Sequence, residues 1–319
     1  MTTTLKQPTI SVVIPTFNYG HFIGEALTSA LRQNFAPLEI IVVDDGSTDG
    51  TEAALRPYAE RIVYIRQDNA GVSAARNRGI RAARGDWIAM LDADDIWLPN
   101  KLESQRRCAA AHPDAVLIGG LNTAARKQPA SGLYSVFSVE DFLKALPFGT
   151  SSALARRECL LENGLFNEAR RLAEDRELWL KLTRRAPAAR VNAAVWTYRH
   201  HAGQSINQAR RMAESYRAVL CDFFALNPEF TAEREAAHAY FHYDSAMAFH
   251  ETGARLNALR HVVASFFVHP SPLRFHDAEA HFDRRTLLLK TVIGEPAFRA
   301  LRGMLRRKPS QIPTVADVP

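Results

Sequence analysis

The rhythm of the first 120 residues constrains this chain most: short apolar runs alternate with segments of helical period. Candidate strands are Ile10–Ile14, Glu39–Val43, Ile62–Arg66, Trp87–Leu91 and Ala115–Ile118. Such runs suit a parallel sheet covered on both faces, since a half-solvated strand would alternate apolar with polar residues. Between the first two, Phe22, Ile23, Ala26, Leu27, Ala30 and Leu31 recur at helical spacing, and Val72–Ala83 reads as another helix. Residues 1–120 are therefore expected to form an α/β half of nucleotide-binding type.

From Leu133 to Tyr198 the pattern is mixed. It predicts a helix at Val139–Ala145, a strand near Thr150–Ala155, a helix at Glu174–Arg185 and a strand at Arg190–Tyr198, enough to extend the sheet and wall a pocket. Beyond Ala209 the chain turns helical, with Pro228, Pro270 and Pro272 as punctuation. The expected organisation is an α/β unit over 1–205, divided at residue 120, a helical region over 206–308, and a disordered tail over 309–319.

A chain of 319 residues is long enough to bury a sizeable core. Its three cysteines, Cys108, Cys159 and Cys221, lie far apart with no CxxC pair, which argues against a structural zinc and fits a reducing compartment. Met1–Pro8 lacks the pattern of a secretory signal, and no stretch reaches the length needed to span a bilayer, so a cytoplasmic location is expected. The net charge of +6 belongs to the tail: His281–Lys308 carries eight basic residues against two acidic ones, leaving the first 280 residues nearly neutral.

Ligands of open α/β sheets bind beyond the carboxyl ends of the strands, so the residues there carry the functional reading. Strand one ends in Pro15-Thr16-Phe17-Asn18-Tyr19, with neither the GxGxxG turn of dinucleotide enzymes nor a GxxxxGK[ST] phosphate loop. Strand two ends in Asp44-Asp45-Gly46-Ser47-Thr48-Asp49. A helix cap needs one of Ser47, Thr48 and Asp49, which leaves Asp44 and Asp45 to accept hydrogen bonds from a base or ribose. After strand three, Gly71 lets a backbone approach a ligand, and Arg76 and Asn77 fall on the first turns of a helix where they suit an anion; a solvated surface position explains Arg76 equally well.

Strand four ends in Leu91-Asp92-Ala93-Asp94-Asp95, the sharpest signal in the chain. Three carboxylates within four residues repel one another unless a cation neutralises them, and a hard divalent ion would also keep open positions for a diphosphate. Capping of a helix containing Trp97 and Leu102 accounts for Asp95 but not for Asp92. Glu174-Asp175 precedes an apolar helical run; carboxylates favour a helix start, and either one could also serve as general base. In Tyr198-Arg199-His200-His201, His200 is a candidate metal ligand, set against the commoner structural role of a lone histidine.

Taken in order, SVVIPTFN, VVDDGSTDGT, DNAGVSAARNRGI, LDADD, AEDRELWL and YRHH resemble glycosyltransferase family 2 over roughly the first 200 residues, a series more specific than any one motif. The resemblance implies the GT-A fold, with residues 121–205 as the acceptor half, and inverting transfer from a nucleotide diphosphate sugar. By the same likeness Pro15, Thr16, Asn18, Asp44 and Asp45 hold the nucleoside, and Asn69, Gly71, Arg76 and Asn77 line the donor cleft. Asp92 and Asp94 match the family's DxD element, with Asp94 the direct ligand of Mn2+ or Mg2+ and Asp92 nearer the ribose or a metal-bound water. Glu174 and Asp175 match its ED element, whose aspartate is the usual base. A UDP-sugar donor and a saccharide or lipid-linked acceptor in bacterial surface polysaccharide or lipopolysaccharide assembly are what the family suggests.

Phe298, Leu301 and Leu305 share a helical face beside Arg299, Arg302 and Arg306, which suits an anionic membrane surface as well as it suits a packed helix with a solvated basic side. Alternative readings are a sugar nucleotidyltransferase, although no Gly-rich basic loop follows strand one, and a noncatalytic nucleotide-sugar-binding protein using the same cleft. Nucleic acid is not an expected partner, since the charge is confined to the tail and no recognition motif appears.

Overall fold

The computed structural model describes residues 8–124, 132–201, 208–271, 273 and 284–299. Its elements in chain order are β1 (Ile10–Thr16), α1 (Ile23–Leu31), β2 (Glu39–Asp44), α2 (Thr51–Leu55), β3 (Val63–Arg66), α3 (Val72–Ala82), β4 (Trp87–Met90), β5 (Ile96–Trp97), α4 (Lys101–Ala111), β6 (Leu117–Asn122), β7 (Tyr134–Phe137), α5 (Val139–Lys144), β8 (Leu154–Arg156), α6 (Arg157–Glu162), α7 (Glu174–Thr183), β9 (Ala188–Thr197), α8 (Ala209–Leu226), α9 (Arg234–Glu251), α10 (Arg255–Val268) and α11 (Arg284–Ile293). The strands of the described residues form one mixed sheet in the order β3-β2-β1-β4-β8-β6-β9-β5, with β7 also paired to β9. The β3-β2-β1-β4 half is parallel, and β8 runs antiparallel to both β4 and β6.

The pleat explains why the inner strands are apolar throughout. Val13, Ile41, Val43, Ile88 and Met90 face one core layer, while Val12, Ile14, Ile40, Val42, Trp87 and Ala89 face the other. On the second layer α1 buries Ile23, Ala26, Leu27 and Ala30, the one-sided stripe legible in the sequence. On the first lies α3, seated so closely that a Cβ on Gly79 would stand 2.5 Å from a Val13 methyl. Each large aliphatic side chain buried in this way contributes roughly 1.5–3 kcal/mol.

Several expectations shift at their edges. The third strand is an exposed edge rather than a buried one. Trp97 does not belong to a helix: it sits in the two-residue β5 against β9, and α4 starts only at Lys101, so Asp95 caps nothing there. The stretch Thr150–Ser152 is a turn of 3-10 helix preceding β8, not strand.

The helical region is no detached appendage. Tyr216, Val219, Leu220, Phe223 and Phe224 of α8, with Phe241 and Phe249 of α9, share one hydrophobic core with Trp179 and Leu180 of α7 and with Val13 and Ile41 of the sheet. No described helix is long and apolar enough to cross a membrane. Leu301, Leu305 and the basic positions beyond them, with the tail expected to be disordered, lie outside the described residues.

Candidate active site

From β1 the chain winds outward through β2 to β3, then returns to place β4 on the other side of β1. Such a reversal of strand order opens a crevice at the carboxyl ends of the two central strands. A cavity of about 790 Å³ lies there, bordered by Pro15 and Thr16 from the end of β1 and by Asp92, Ala93, Asp94 and Asp95 from the end of β4.

On the β2 side of the cavity the two aspartates that end the strand part company. Asp45 lines the cavity and clasps the loop after β3, accepting from Ala70 N at 2.9 Å, Gly71 N at 2.7 Å and Gln67 Nε2 at 2.7 Å. Asp44 turns into the protein with no exposed surface, accepting from Ser47 N, Tyr64 Oη and Arg66 Nη1, each at 2.8 Å. Gly71 adopts φ +98°, a conformation that favours glycine, and a Cβ there would collide with the Arg171 guanidinium.

The acidic loop after β4 is organised from within. Ser151 Oγ donates to Asp95 Oδ2 at 2.5 Å and accepts from Asp92 N at 3.1 Å, while Arg199 N donates to Asp95 Oδ1. Burial, reinforced by the charge of Asp92, pushes the Asp95 carboxyl up to about 8. Asp94 is also raised, by burial and by Asp92, with the hydrogen bond from His201 opposing the shift. His201 Nε2 stands 2.9 Å from Asp94 Oδ2, its ring edge-on to Tyr19. The same acidic group, after burial, helps hold the Tyr19 hydroxyl up at about 12.

Arg76 joins this loop to the opposite wall. Its guanidinium donates through Nη2 to Asp92 Oδ1 and through Nη1 to Glu174 Oε1, both at 2.7 Å, and only 4% of the residue is exposed. Burial disfavours the Arg76 charge, but the two carboxylates outweigh it and hold the cation firmly protonated. Glu174 is raised by its burial and by Asp175, with Arg76 pulling the other way. The turn into α7 is made by Ala173 at φ +56°, an unusual conformation for a residue with a Cβ that opens the helix directly onto the cavity. Asp175 follows, with Thr150 Oγ1 donating to its Oδ2 at 2.9 Å.

The protein-family description "Glycosyl transferase family 2" matches residues 11–144. An uncharacterized glycosyltransferase of Rickettsia typhi is 30% identical over 231 residues, covering 68% of this chain and 72% of the relative. The chain belongs to glycosyltransferase family 2. The Bacillus subtilis glycosyltransferase TuaG, named for teichuronic acid biosynthesis, is 31% identical across 60% of this chain and 79% of its own. Among solved structures, S. aureus TarS in complex with UDP-GlcNAc superposes with TM-score 0.57 at 19% identity, over 90% of this chain and 92% of that one. The mannosyltransferase PcManGT from Pyrobaculum calidifontis, with GDP-Man and Mn2+, reaches 0.61 at 21%, over 95% and 89%. The expected GT-A fold is the one observed.

In this family 2 glycosyltransferase one cavity gathers Pro15, Thr16, Asp45, Asn69, Gly71, Arg76, Asp92, Asp94, Glu174 and Asp175. Four residues singled out in the sequence lie elsewhere. Asp44 is the buried anchor described above, and Asn18 accepts from Thr48 N through its Oδ1 at 2.8 Å. Asn77 is locked inside by Phe166 N, Phe166 O and Glu168. His200 is exposed and edge-on to Tyr198, while its neighbour His201 meets Asp94. Sequence reasoning missed the far wall: Met212 and Tyr216 of α8, and Asp244, Met247 and Glu251 of α9, line the same cavity. Their spacing along each helix is an ordinary amphipathic stripe, which does not reveal whether it faces core or cleft.

Proposed function

We propose that this glycosyltransferase moves a sugar from a nucleotide diphosphate sugar to an acceptor hydroxyl in a single displacement, inverting the anomeric carbon. The observation that carries the reading is the Arg76 bridge, which brings the Asp92–Asp94 loop and the Glu174–Asp175 pair to one cavity. Asp175 takes the proton of the acceptor hydroxyl, the oxygen bonds to the anomeric carbon, and the bond to the diphosphate breaks, its electron pair leaving with the nucleotide. Pro15, Thr16, Asp45, Asn69 and Gly71 border the nucleotide side.

Asp94 suits a divalent cation, Mn2+ or Mg2+. Its carboxylate lines the cavity beside Asp92 with its proton affinity already raised, and His201 offers an imidazole nitrogen close by. No set of three ligating side chains gathers among the described residues, so substrate oxygens and water would complete the shell. When bound, the ion supplies positive charge to the diphosphate.

UDP is the preferred carrier, in keeping with the TarS complex, and GDP stands as the alternative in keeping with PcManGT. The acceptor in this reading is a saccharide or lipid-linked saccharide of bacterial surface polysaccharide assembly, a pathway in keeping with the teichuronic acid biosynthesis for which TuaG is named. The enzyme would work in the cytoplasm against the inner face of the membrane, and α11 turns Arg285, Leu289, Val292 and Ile293 outward at helical spacing. Failure to sediment with anionic vesicles would reject that location.

Screening nucleotide sugars for metal-dependent thermal stabilisation tests the donor side, because a ligand that binds only the folded state raises its melting temperature. Asp94→Ala is expected to abolish the metal-dependent part. Asp175→Asn is expected to keep donor stabilisation while turnover falls by on the order of 100-fold or more; near-normal turnover would remove Asp175 from its role.

A further inference from the structure

A single turn touches both halves of the cleft. Thr150–Ser152 is held by Ser152 N to Gly149 O at 3.0 Å and by Ala153 N to Thr150 O at 2.9 Å. Gly149 lets it lie against the Trp196 ring, where a Cβ would approach within 2.9 Å. Through Ser151 the turn grips the acidic loop, by the hydroxyl contacts with Asp92 N and Asp95 and by Ser151 O accepting from Trp97 Nε1 at 2.6 Å. Through Thr150 it grips Asp175.

We infer that Thr150 is a positioning residue that aims the Asp175 carboxylate and sets its distance from the donor-side loop; this rests on the reading of Asp175 as the base. The outer torsion of an aspartate is soft, so a carboxylate acting on a substrate needs outside contacts to fix its plane. Asp175 has one at each oxygen: Arg176 N donates to Oδ1 at 2.8 Å and Thr150 Oγ1 to Oδ2 at 2.9 Å. An ionised carboxylate only accepts, so the hydroxyl must donate, and the lone pairs left over serve the acceptor's proton. Thr150 is 8% exposed and β-branched, which stiffens its first side-chain torsion. Arg176 steadies the other side, its guanidinium 4.0 Å over the Tyr216 ring and 2.6 Å from Asp244. Because adjacent residues of one turn hold Asp175 and the acidic loop, the turn sets the spacing between base and leaving group together with the Arg76 bridge from α3.

The test compares Thr150→Val, which keeps the shape and removes the hydroxyl, with Thr150→Ser, which restores it. Release of UDP from UDP-GlcNAc with Mn2+ and water as acceptor is followed alongside donor-induced thermal stabilisation. Expected for Thr150→Val is a kcat lower by on the order of 10- to 100-fold, the scale of a small misplacement of a reacting group, with the donor KM and thermal shift unchanged and Thr150→Ser close to the parent. A parent-like kcat in Thr150→Val, a Ser variant no better than the Val variant, or a donor KM rising in step with the loss of kcat would overturn the inference. Parent-like turnover in Asp175→Asn marks the different failure, that of the base itself.

Discussion

Arg76 shows what residue identity leaves unsaid. In the sequence it is as consistent with a solvated helix face as with an anion site; in the fold it is buried between Asp92 and Glu174, sixteen and ninety-eight positions away. Removing one partner of a buried ionic cluster leaves the others uncompensated, so Arg76→Met is expected to destabilise the protein by about 3–5 kcal/mol, read from urea unfolding. A loss under about 1 kcal/mol, the scale of exposed pairs, would mean that water already screens the cluster. The same limit governs Asp44 and Asp45: they are chemically identical, and only the end of the β2 pleat sends one inward to Tyr64 and Arg66 and the other to the cavity rim. His200 and His201 divide in the same way.

At the scale of elements, local pattern located β1, β2, β4, α1, α5 and α7 to within a few residues, because their burial is one- or two-sided and leaves a period. It failed for β5 and β7, short strands held by pairing with β9 rather than by propensity. Nor did it mark the contact between α9 and α10, where His242 Nδ1 and His261 Nδ1 meet at 3.2 Å. Burial, then the neighbouring His261, His238 and Arg217, holds His242 down at about 4 against an ordinary 6.5. The unfolded chain therefore binds the extra proton between those values, and the stability this site contributes is complete above pH 6.5 and is lost as the pH falls toward 4. The melting temperature is expected to fall between pH 7 and 5, with a flatter decline in His242→Gln; identical slopes would assign the acid sensitivity elsewhere.

For the whole molecule, the division expected at residue 205 is not a division of the core. Phe223, Phe224 and Phe241 pack in the same cluster as Trp179 and Val13, so the segment 1–205 alone would expose much of one face of the α/β layer. Expressed by itself it is expected to lack the cooperative thermal transition of the full chain, and a sharp, parent-like melt would show that the helices dock on an already complete domain. The same packing puts Met212, Tyr216 and Asp244 on the wall of the candidate active-site cavity.

The α/β class, the family, and the acidic and glycine-bearing loops at the strand ends are legible in the amino-acid order alone, because each depends on residues close together in the chain: apolar periods, turn chemistry and ordered short motifs. It takes the folded chain to show which carboxylate faces the cleft, that Arg76 ties the two acidic loops together, that Thr150 holds Asp175, and that α8 and α9 complete the cavity. Those are contacts between residues 16 to 98 positions apart, or faces of helices whose amphipathic stripe is the same whether it meets core or substrate.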